Sequence, residues 1–225
     1  MKKIISLVLF LAIGLSFTSV AQETPGTSNM NPESPGNFSV SADLVSSYVW
    51  RGSKFGSGPA LQPTVEFTVG GFTLGAWGST CFSDPETLET DLFTSYNFGN
   101  FTLGMTDYYF PGTAWITTEN HAFEVNGGLS LGNFTLAANY ILNEGAGSAG
   151  GDVYVEAGFA AGKVNLFAGG GSGWHTPDGD FNICNLGLST TKEIKITDTF
   201  SLPLSGSIVL NPATEQFFLV AGISL

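Results

Sequence analysis

In several segments of this sequence apolar and polar residues alternate, as they do in a β-strand. Seven acidic residues fall on the polar side of these segments, where they could line a confined aqueous passage. They are Asp43, Glu66, Glu89, Asp91, Glu124, Asp152 and Glu156. A ring of carboxylates in a narrow lumen attracts cations and repels anions, because confinement weakens the screening that salt provides at an open surface. Arg51 lies on the same side. It could face the acidic wall as a lumenal cation, or bond carboxylates such as Asp43 or loop carbonyls and hold the rim.

The sequence gives little support for a catalytic site or a metal site. His121 shares the apolar side of its segment with Phe123, which favours an interfacial residue over a base. His175 is followed by acids at positions 178 and 180, a spacing that a metal or an acid/base site could use, but "TPDGD" is foremost a turn signal. No nucleophile elbow, phosphate loop or paired-cysteine motif is present. The sequence therefore predicts no enzyme, no catalytic residue, no metal and no cofactor.

The chain opens with an export signal. Two lysines precede an apolar run from Ile4 to Leu15, and Ser19-Val20-Ala21 is a small-residue cleavage site. The run is short for a membrane-spanning helix, so residues 1–21 are predicted to be a signal peptide that is removed. Residues 22–37 are rich in Pro, Ser, Gly and Asn and are predicted to be a flexible periplasmic lead-in.

The charge balance excludes some partners. Without Lys2 and Lys3 the chain has five basic and 19 acidic residues, so charge will not draw it to nucleic acid or anionic lipid headgroups. Only 12% of the residues are charged, which is low for the surface of a secreted soluble domain. This composition favours apolar surface that is distributed over strands.

A short motif recurs about every thirty residues, a spacing that suits one hairpin per repeat. Its copies are "VGGFTLGA" (69–76), "FGNFTLGM" (98–105), "LGNFTLAA" (131–138) and "AGKVNLFA" (161–168). Gly-Gly, Gly-Asn and Gly-Lys between alternating apolar residues are hairpin turns, because glycine accepts the positive φ that such turns require. The chain should therefore be a meander of hairpins.

Counting outward from these turns gives twelve strands. They are predicted near 38–51, 59–70, 72–82, 87–98, 100–110, 120–131, 133–143, 152–162, 164–171, 181–191, 199–210 and 214–225. Short turns fall at one rim, the last of them at 192–198, and longer loops fall at the other. An even number of strands with short turns at one rim and longer loops at the other is typical of an outer-membrane barrel.

The side chains of nearly every predicted strand alternate between a large apolar face and a small polar face. A β-sandwich also alternates, but its outer face should carry bulky charged residues, whereas this polar face is mostly Ser, Thr, Gly and Asn. The predicted fold is all-β: an antiparallel up-and-down transmembrane β-barrel of about 12 strands, spanning residues 38–225. In its first strand Tyr48 and Trp50 should face lipid, and Asp43 and Arg51 the lumen. Strand 181–191 fits least well, because Leu186 and Leu188 are out of phase with Ile183.

Two cysteines, Cys81 and Cys184, could pair in an oxidising compartment. They fall on the third and tenth predicted strands, five strands apart around the shorter arc. Since adjacent strands are about 4.8 Å apart, the two thiols lie too far apart for a disulfide. No intramolecular bridge is predicted.

Five segments resemble the TorF family of porins. They are "DLVSSYVWRG", "PALQP", "FTLGAWGS", "GMTDYYFPG" and "ENHAFEVNGGLSL", and they include counterparts of the family's Ser-x-Tyr-x-x-Arg-Gly and Pro-Ala-x-Gln segments and its Tyr-Pro-Gly loop. The resemblance is strongest from Val40 to Leu131, and Phe110-Pro111 stands where Tyr-Pro is usual. It implies an outer-membrane barrel of unknown cargo.

These observations predict a narrow, cation-preferring porin for small hydrophilic solutes, located in the outer membrane of a Gram-negative-type bacterium. Its expected partners are outer-membrane lipid, the outer-membrane assembly machinery during biogenesis and the solutes themselves. Two alternatives stay open. One is a structural or adhesive barrel that does not conduct, and the other is a secreted soluble β-sandwich that acts as a binding module.

Overall fold

The computed structural model of this protein describes residues 36–111, 115, 117–198 and 200–225. The predicted signal peptide and the lead-in up to residue 35 lie outside the described residues. Asn37, predicted to end the lead-in, is the first residue of the first strand. In the described ranges no helix has both the length and the apolar character needed to cross a membrane.

Twelve of the strands in the described part form one closed antiparallel barrel, as predicted. The strands are β1 (Asn37–Val45), β2 (Tyr48–Trp50), β3 (Ser53–Phe55), β4 (Ala60–Val69), β5 (Phe72–Cys81), β6 (Asp84–Asn97), β7 (Phe101–Tyr109), β8 (His121–Leu131), β9 (Phe134–Ile141), β10 (Val153–Ala161), β11 (Val164–Gly171), β12 (Asn182–Lys195), β13 (Ser201–Asn211) and β14 (Gln216–Ser224). Neighbours in sequence pair around the barrel, and β1 closes it against both β4 and β14. Closure excludes the β-sandwich. The strands β2 and β3 pair only with each other.

The predicted strand boundaries differ from the observed ones by more than three residues at two places. The strand predicted at 38–51 ends at Val45, where the chain leaves the wall. The strand predicted at 181–191 continues to Lys195, so the turn predicted at 192–198 begins later. The remaining short turns lie where the glycine motifs place them, with positive φ at Gly70, Gly132 and Gly162.

The two faces of the wall differ as the alternation predicts. Large apolar side chains on the outer face are exposed, among them Phe67, Leu74, Leu103, Leu136 and Leu219. Side chains of the opposite parity are buried or partly buried in the barrel. The out-of-phase leucines of β12 are explained by a register shift opposite Gly169 and Gly170, which leaves Cys184 as an extra residue in its strand. The bulge lets Ile183 and Leu186 both point outward.

The wall closes at a short seam. The register of β1 with β14 covers only Asp43–Val45, and the chain then turns inward. Ser46 extends this seam by one residue, because its N–H donates to the Ala221 carbonyl and its Oγ accepts from the Ala221 N–H. A serine side chain thus supplies a bond that the next backbone carbonyl of a regular strand would supply.

Candidate functional site

The segment between β1 and β4 folds into the barrel as a hairpin, which we call the inner hairpin (residues 46–59). Its two strands pair Tyr48 with Phe55 and Trp50 with Ser53. Tyr48 is 6% exposed and Trp50 is 8% exposed. The prediction that these two rings face lipid is therefore wrong, because they pack inside the lumen.

The tip of the inner hairpin is the two-residue turn Arg51-Gly52, and both residues have positive φ, 49° and 82°. That combination is typical of a type I′ turn, which asks for glycine at its second position. The Arg-Gly pair in "WRGS" is a sequence signal for such a turn. The apolar residues before it, however, continue the alternation of β1, so the sequence does not show that the chain leaves the wall after Val45. Gly52 is required for a second reason: a Cβ there would lie 1.9 Å from the Cys184 carbonyl oxygen.

Arg51 crosses the lumen to a carboxylate on the facing wall. Its Nη1 donates to Glu124 Oε1 at 2.6 Å and its Nη2 donates to Glu124 Oε2 at 2.9 Å. Glu124, in β8, is fully buried at 0% exposure. The guanidinium also lies 4.4 Å from the ring centres of Trp50 and Tyr154. Two parallel charge-assisted bonds and two aromatic faces fix the arginine in a single position.

Glu124 is the centre of a buried polar network on β7, β8 and β9. Its Oε2 also accepts from the Tyr108 hydroxyl at 2.9 Å and from Asn126 Nδ2 at 2.6 Å. Asn126 bonds onward to Thr106 and to Asn139. These bonds replace much of the hydration that the carboxylate loses on burial.

The backbone of the tip is held from the opposite side. Asn211 Nδ2, in β13, donates to the Gly52 carbonyl oxygen at 3.0 Å. Since Glu124 lies on β8, the tip is held between two distant parts of the wall. The inner hairpin therefore spans the lumen instead of lying along one side of it.

Aromatic side chains fill the space around the inner hairpin. Tyr48 lies 5.5 Å from Trp77, and Trp50 lies 5.5 Å from Tyr108, measured between ring centres. Trp174, from the loop after β11, also contacts Trp50. The outer half of the lumen is consequently packed, whereas inward residues nearer the short turns are small, such as Thr102 and Gly128.

His175 points into this cluster and not toward the acids that follow it. Its Nε2 lies 3.4 Å from Arg51 Nη1, and its ring packs on Trp50 and Tyr154. Burial, and after it the Arg51 guanidinium, lower the pKa of His175 to about 2. The ring is thus neutral, and Nε2 can serve as an acceptor beside the cation.

Asp178 and Asp180 lie exposed in the same loop, and Asp178 Oδ1 accepts from the Asp180 N–H and from Asn182 Nδ2. In the part of the chain that the structure describes, no group of three or more His, Cys, Asp or Glu side chains could hold a metal ion.

His121 lies on the outer face of the wall, as the alternation of its strand predicts. Its Nδ1 lies 2.8 Å from Asp107 Oδ1 and its Nε2 lies 2.6 Å from the Trp115 carbonyl oxygen. The ring is buried among Tyr109, Trp115 and Phe123, and a place at the membrane interface stays a prediction. Because both nitrogens are engaged, neither is free to take a proton from a nucleophile.

The residues predicted to line an ion path lie in three environments. Glu124 and Arg51 pair with each other, and Arg51 belongs to the inner hairpin and not to the rim. Glu156 bonds to Tyr154 and Asn185, and Asp152 holds the outer loops by accepting from Ser148 Oγ and the Trp174 N–H. The third group contains Asp43, Glu66, Glu89 and Asp91, which face the interior without a basic partner among the described residues. Their role in conduction stays a prediction.

A family model covers residues 29–174, about two thirds of the chain, and it is described as a bacterial protein of unknown function, Gcw_chp. The chain belongs to this family. The name TorF, inferred from the sequence segments, stays a prediction. None of the curated proteins matches this chain.

Two kinds of solved structure are similar to this chain, a porin and a phospholipase. Variants of the Rh. blastica porin are 13% identical with a TM-score of 0.41, and the match covers 74% of this chain and 55% of theirs. The outer membrane phospholipase A of Escherichia coli is 12% identical with a TM-score of 0.35, over 90% of this chain and 92% of that one. This chain thus spans about half the length of the porin.

Because Arg51 and Glu124 form a buried ion pair, removing the arginine should strongly destabilise the folded protein. Changing Arg51→Met leaves the Glu124 carboxylate buried and uncompensated, which should lower the free energy of unfolding by about 3 kcal/mol or more. Adding Glu124→Gln should recover part of the loss. Urea unfolding of the refolded protein in detergent measures the free energy of unfolding of both variants.

The matched control is Lys195→Met, which removes an exposed ion pair to Asp198 and should change stability little. Equal effects of Arg51→Met and Lys195→Met would contradict the assignment.

The neutral state of His175 predicts a pH dependence. Its pKa in the folded protein, about 2, lies below the value near 6.5 of an unfolded chain. Its contribution to stability is therefore complete above pH 6.5 and decreases as the pH falls below that value. Between pH 6.5 and 4.5 the wild type should lose up to about 1.4 kcal/mol per pH unit more than a His175→Gln variant. Parallel stability curves for the two proteins would show that His175 can take up a proton in the folded state.

Proposed function

We propose that this protein is an outer-membrane barrel with a narrow, cation-preferring pathway for small hydrophilic solutes. The observation that carries the proposal is the imbalance of charge inside the barrel. Among the described residues the buried acids are Asp43, Glu89, Asp91, Glu124 and Asp152, and Arg51 is the one buried Lys or Arg. Since Glu124 already neutralises Arg51, the remaining interior carboxylates give the lumen a negative potential.

The inner hairpin makes this pathway narrow. It spans the lumen at the level of Glu124 and packs its rings against Trp77 and Tyr108. The buried acids without a basic partner lie on β1 and β6, on the side of the wall beside the base of the hairpin, and the partly buried Glu66 lies on β4 between these strands. A solute that enters from the short-turn rim, past Glu66, would reach these acids before the aromatic cluster.

A non-conducting structural or adhesive barrel is the second candidate. The same aromatic cluster favours it, because stacked and edge-on rings that hold the hairpin on several sides resemble a packed core more than an aqueous channel. In this second case the interior acids would affect stability and leave no ion path. Catalysis forms no part of either candidate.

The two candidates differ in an electrical measurement. In a planar bilayer across a potassium chloride gradient, the reversal potential should indicate preference for potassium. Replacing Glu66, Glu89 and Asp91 with the corresponding amides should move it toward zero. The matched control replaces three exposed loop acids, Asp178, Asp180 and Glu215, and should leave it nearly unchanged. Anion preference, or preference that survives the interior change, would refute the proposed path. A protein that inserts but carries no current would favour the structural barrel.

Contact between the outer face of the barrel and lipid can be tested by introducing a charged residue on that face. Ala157 lies at the middle of β10, exposed between Leu136 and Ala168 on the neighbouring strands. An arginine at the mid-plane of a lipid-facing barrel surface costs about 2–4 kcal/mol, so Ala157→Arg should reduce the fraction that refolds into lipid vesicles. The control Asn133→Arg lies in the short turn before β9 and should refold like the wild type. Gel mobility before and after boiling reports the folded fraction. Equal refolding of the two variants would contradict lipid contact at Ala157.

A further inference from the structure

Two carboxylates on β6 are buried with oxygen atoms that have no partner. Glu89 is 5% exposed and Asp91 is 2% exposed. Glu89 Oε2 and Asp91 Oδ1 are both without a hydrogen bond. The two residues are two positions apart on one strand, so both side chains point to the same face of the wall. Burying even one ionised carboxylate without compensation is costly.

Aromatic rings form the other walls around these carboxylates. Tyr48 of the inner hairpin hydrogen-bonds to Glu89, and its ring centre lies 5.5 Å from that of Trp77. Trp77, in β5, is the cross-strand neighbour of Asp91. Its indole Nε1 is buried and also lacks a partner. The carboxylates therefore lie beside aromatic side chains, and the inner hairpin covers them.

The compensating charge does not come from the described residues themselves. Arg51 donates both terminal nitrogens to Glu124 and does not pair with Glu89 or Asp91. Metal ions are poorly served, since in the described residues no three His, Cys, Asp or Glu side chains lie close enough to hold one. A small organic cation fits better, because it can donate hydrogen bonds to two carboxylates and rest on aromatic faces.

We propose that Glu89 and Asp91, with the rings of Tyr48 and Trp77, form a binding site for a primary ammonium group. The three N–H donors of such a group are enough for both unpartnered carboxylate oxygens, and the alkyl carbon beside it contacts the aromatic rings. Potassium has no directional donors and gains less from this arrangement. The inference rests on the proposed function in one respect: the amine reaches the site through the lumen.

The test titrates ethylammonium chloride into refolded protein in detergent at constant ionic strength, with potassium chloride as the comparison salt. Tryptophan fluorescence, to which Trp77 contributes, and the thermal unfolding midpoint are followed. Ethylammonium should shift both at concentrations at least about tenfold below those at which potassium does, since its N–H groups form charge-assisted hydrogen bonds that potassium cannot form. Replacing Glu89 with Gln and Asp91 with Asn should abolish the shift. Asp178→Asn with Asp180→Asn, which removes two exposed carboxylates, should keep it.

The unfolding temperature of the double variant shows whether it still folds. Without amine, the Glu89→Gln, Asp91→Asn protein should unfold at a higher temperature than the wild type, because two buried carboxyl groups with unpartnered oxygen atoms are gone. An unfolding temperature at or below that of the wild type would overturn the proposal, as would equal responses to potassium and ethylammonium.

The outcomes separate this site from the proposed function. Ethylammonium binding by a barrel that carries no current would support the site and refute the pathway. Cation-selective current without an ethylammonium response would support the pathway and refute the site.

Discussion

The arrangement inside this barrel depends on one ion pair, Arg51 with Glu124. The pair connects the tip of a fourteen-residue excursion, residues 46–59, to the facing wall, and it is formed where water is nearly excluded. Each charge alone would be unfavourable there, and each is tolerated because the other is present with good geometry. Tyr108, Asn126, Trp50 and Tyr154 supply the further contacts that make the pair hold one position. The position of the hairpin, and with it the shape of the lumen, follows from these contacts.

The hairpin and the outer loops pack closely against the barrel wall around the ion pair. Glycine at 52 lets the turn touch the Cys184 carbonyl, and glycine at 171 leaves room for the His175 ring, which a Cβ would meet at 2.8 Å. Asp152 then ties two outer loops together through Ser148 and Trp174. Glycine at these two contacts thus lets the hairpin turn and the His175 ring pack closely against the wall. Packing of this kind explains why the outer half of the interior is filled while the half near the short turns is not.

Electrostatics divides the interior acids into two classes. Glu124, Glu156 and Asp152 have hydrogen-bond donors and act as structural anchors. Asp43, Glu89 and Asp91 each have a buried oxygen atom without a partner, and no described basic side chain neutralises them. A protein gains no stability from such groups, so their presence on one side of the lumen fits a role toward cations that enter from outside. The proposed ion path and the ammonium site both use this class.

By itself the sequence determined the barrel wall. Glycine turns spaced by hairpin lengths and strict alternation in segments such as "FTLGM" are local signals, because a strand and a tight turn are decided by neighbouring residues. The same alternation put Asp91 and Glu124 on the inner face. Only the tertiary structure decided where residues 46–59 go. Tyr48 and Trp50 continue the alternation of β1, and their burial depends on partners elsewhere in the chain. Trp50 contacts Tyr108 and Trp174, 58 and 124 positions away, and Tyr48 contacts Trp77, 29 positions away. The pairing of Arg51 with Glu124, 73 residues apart, has no local signature either, since it exists only once the wall has closed and removed the water between them.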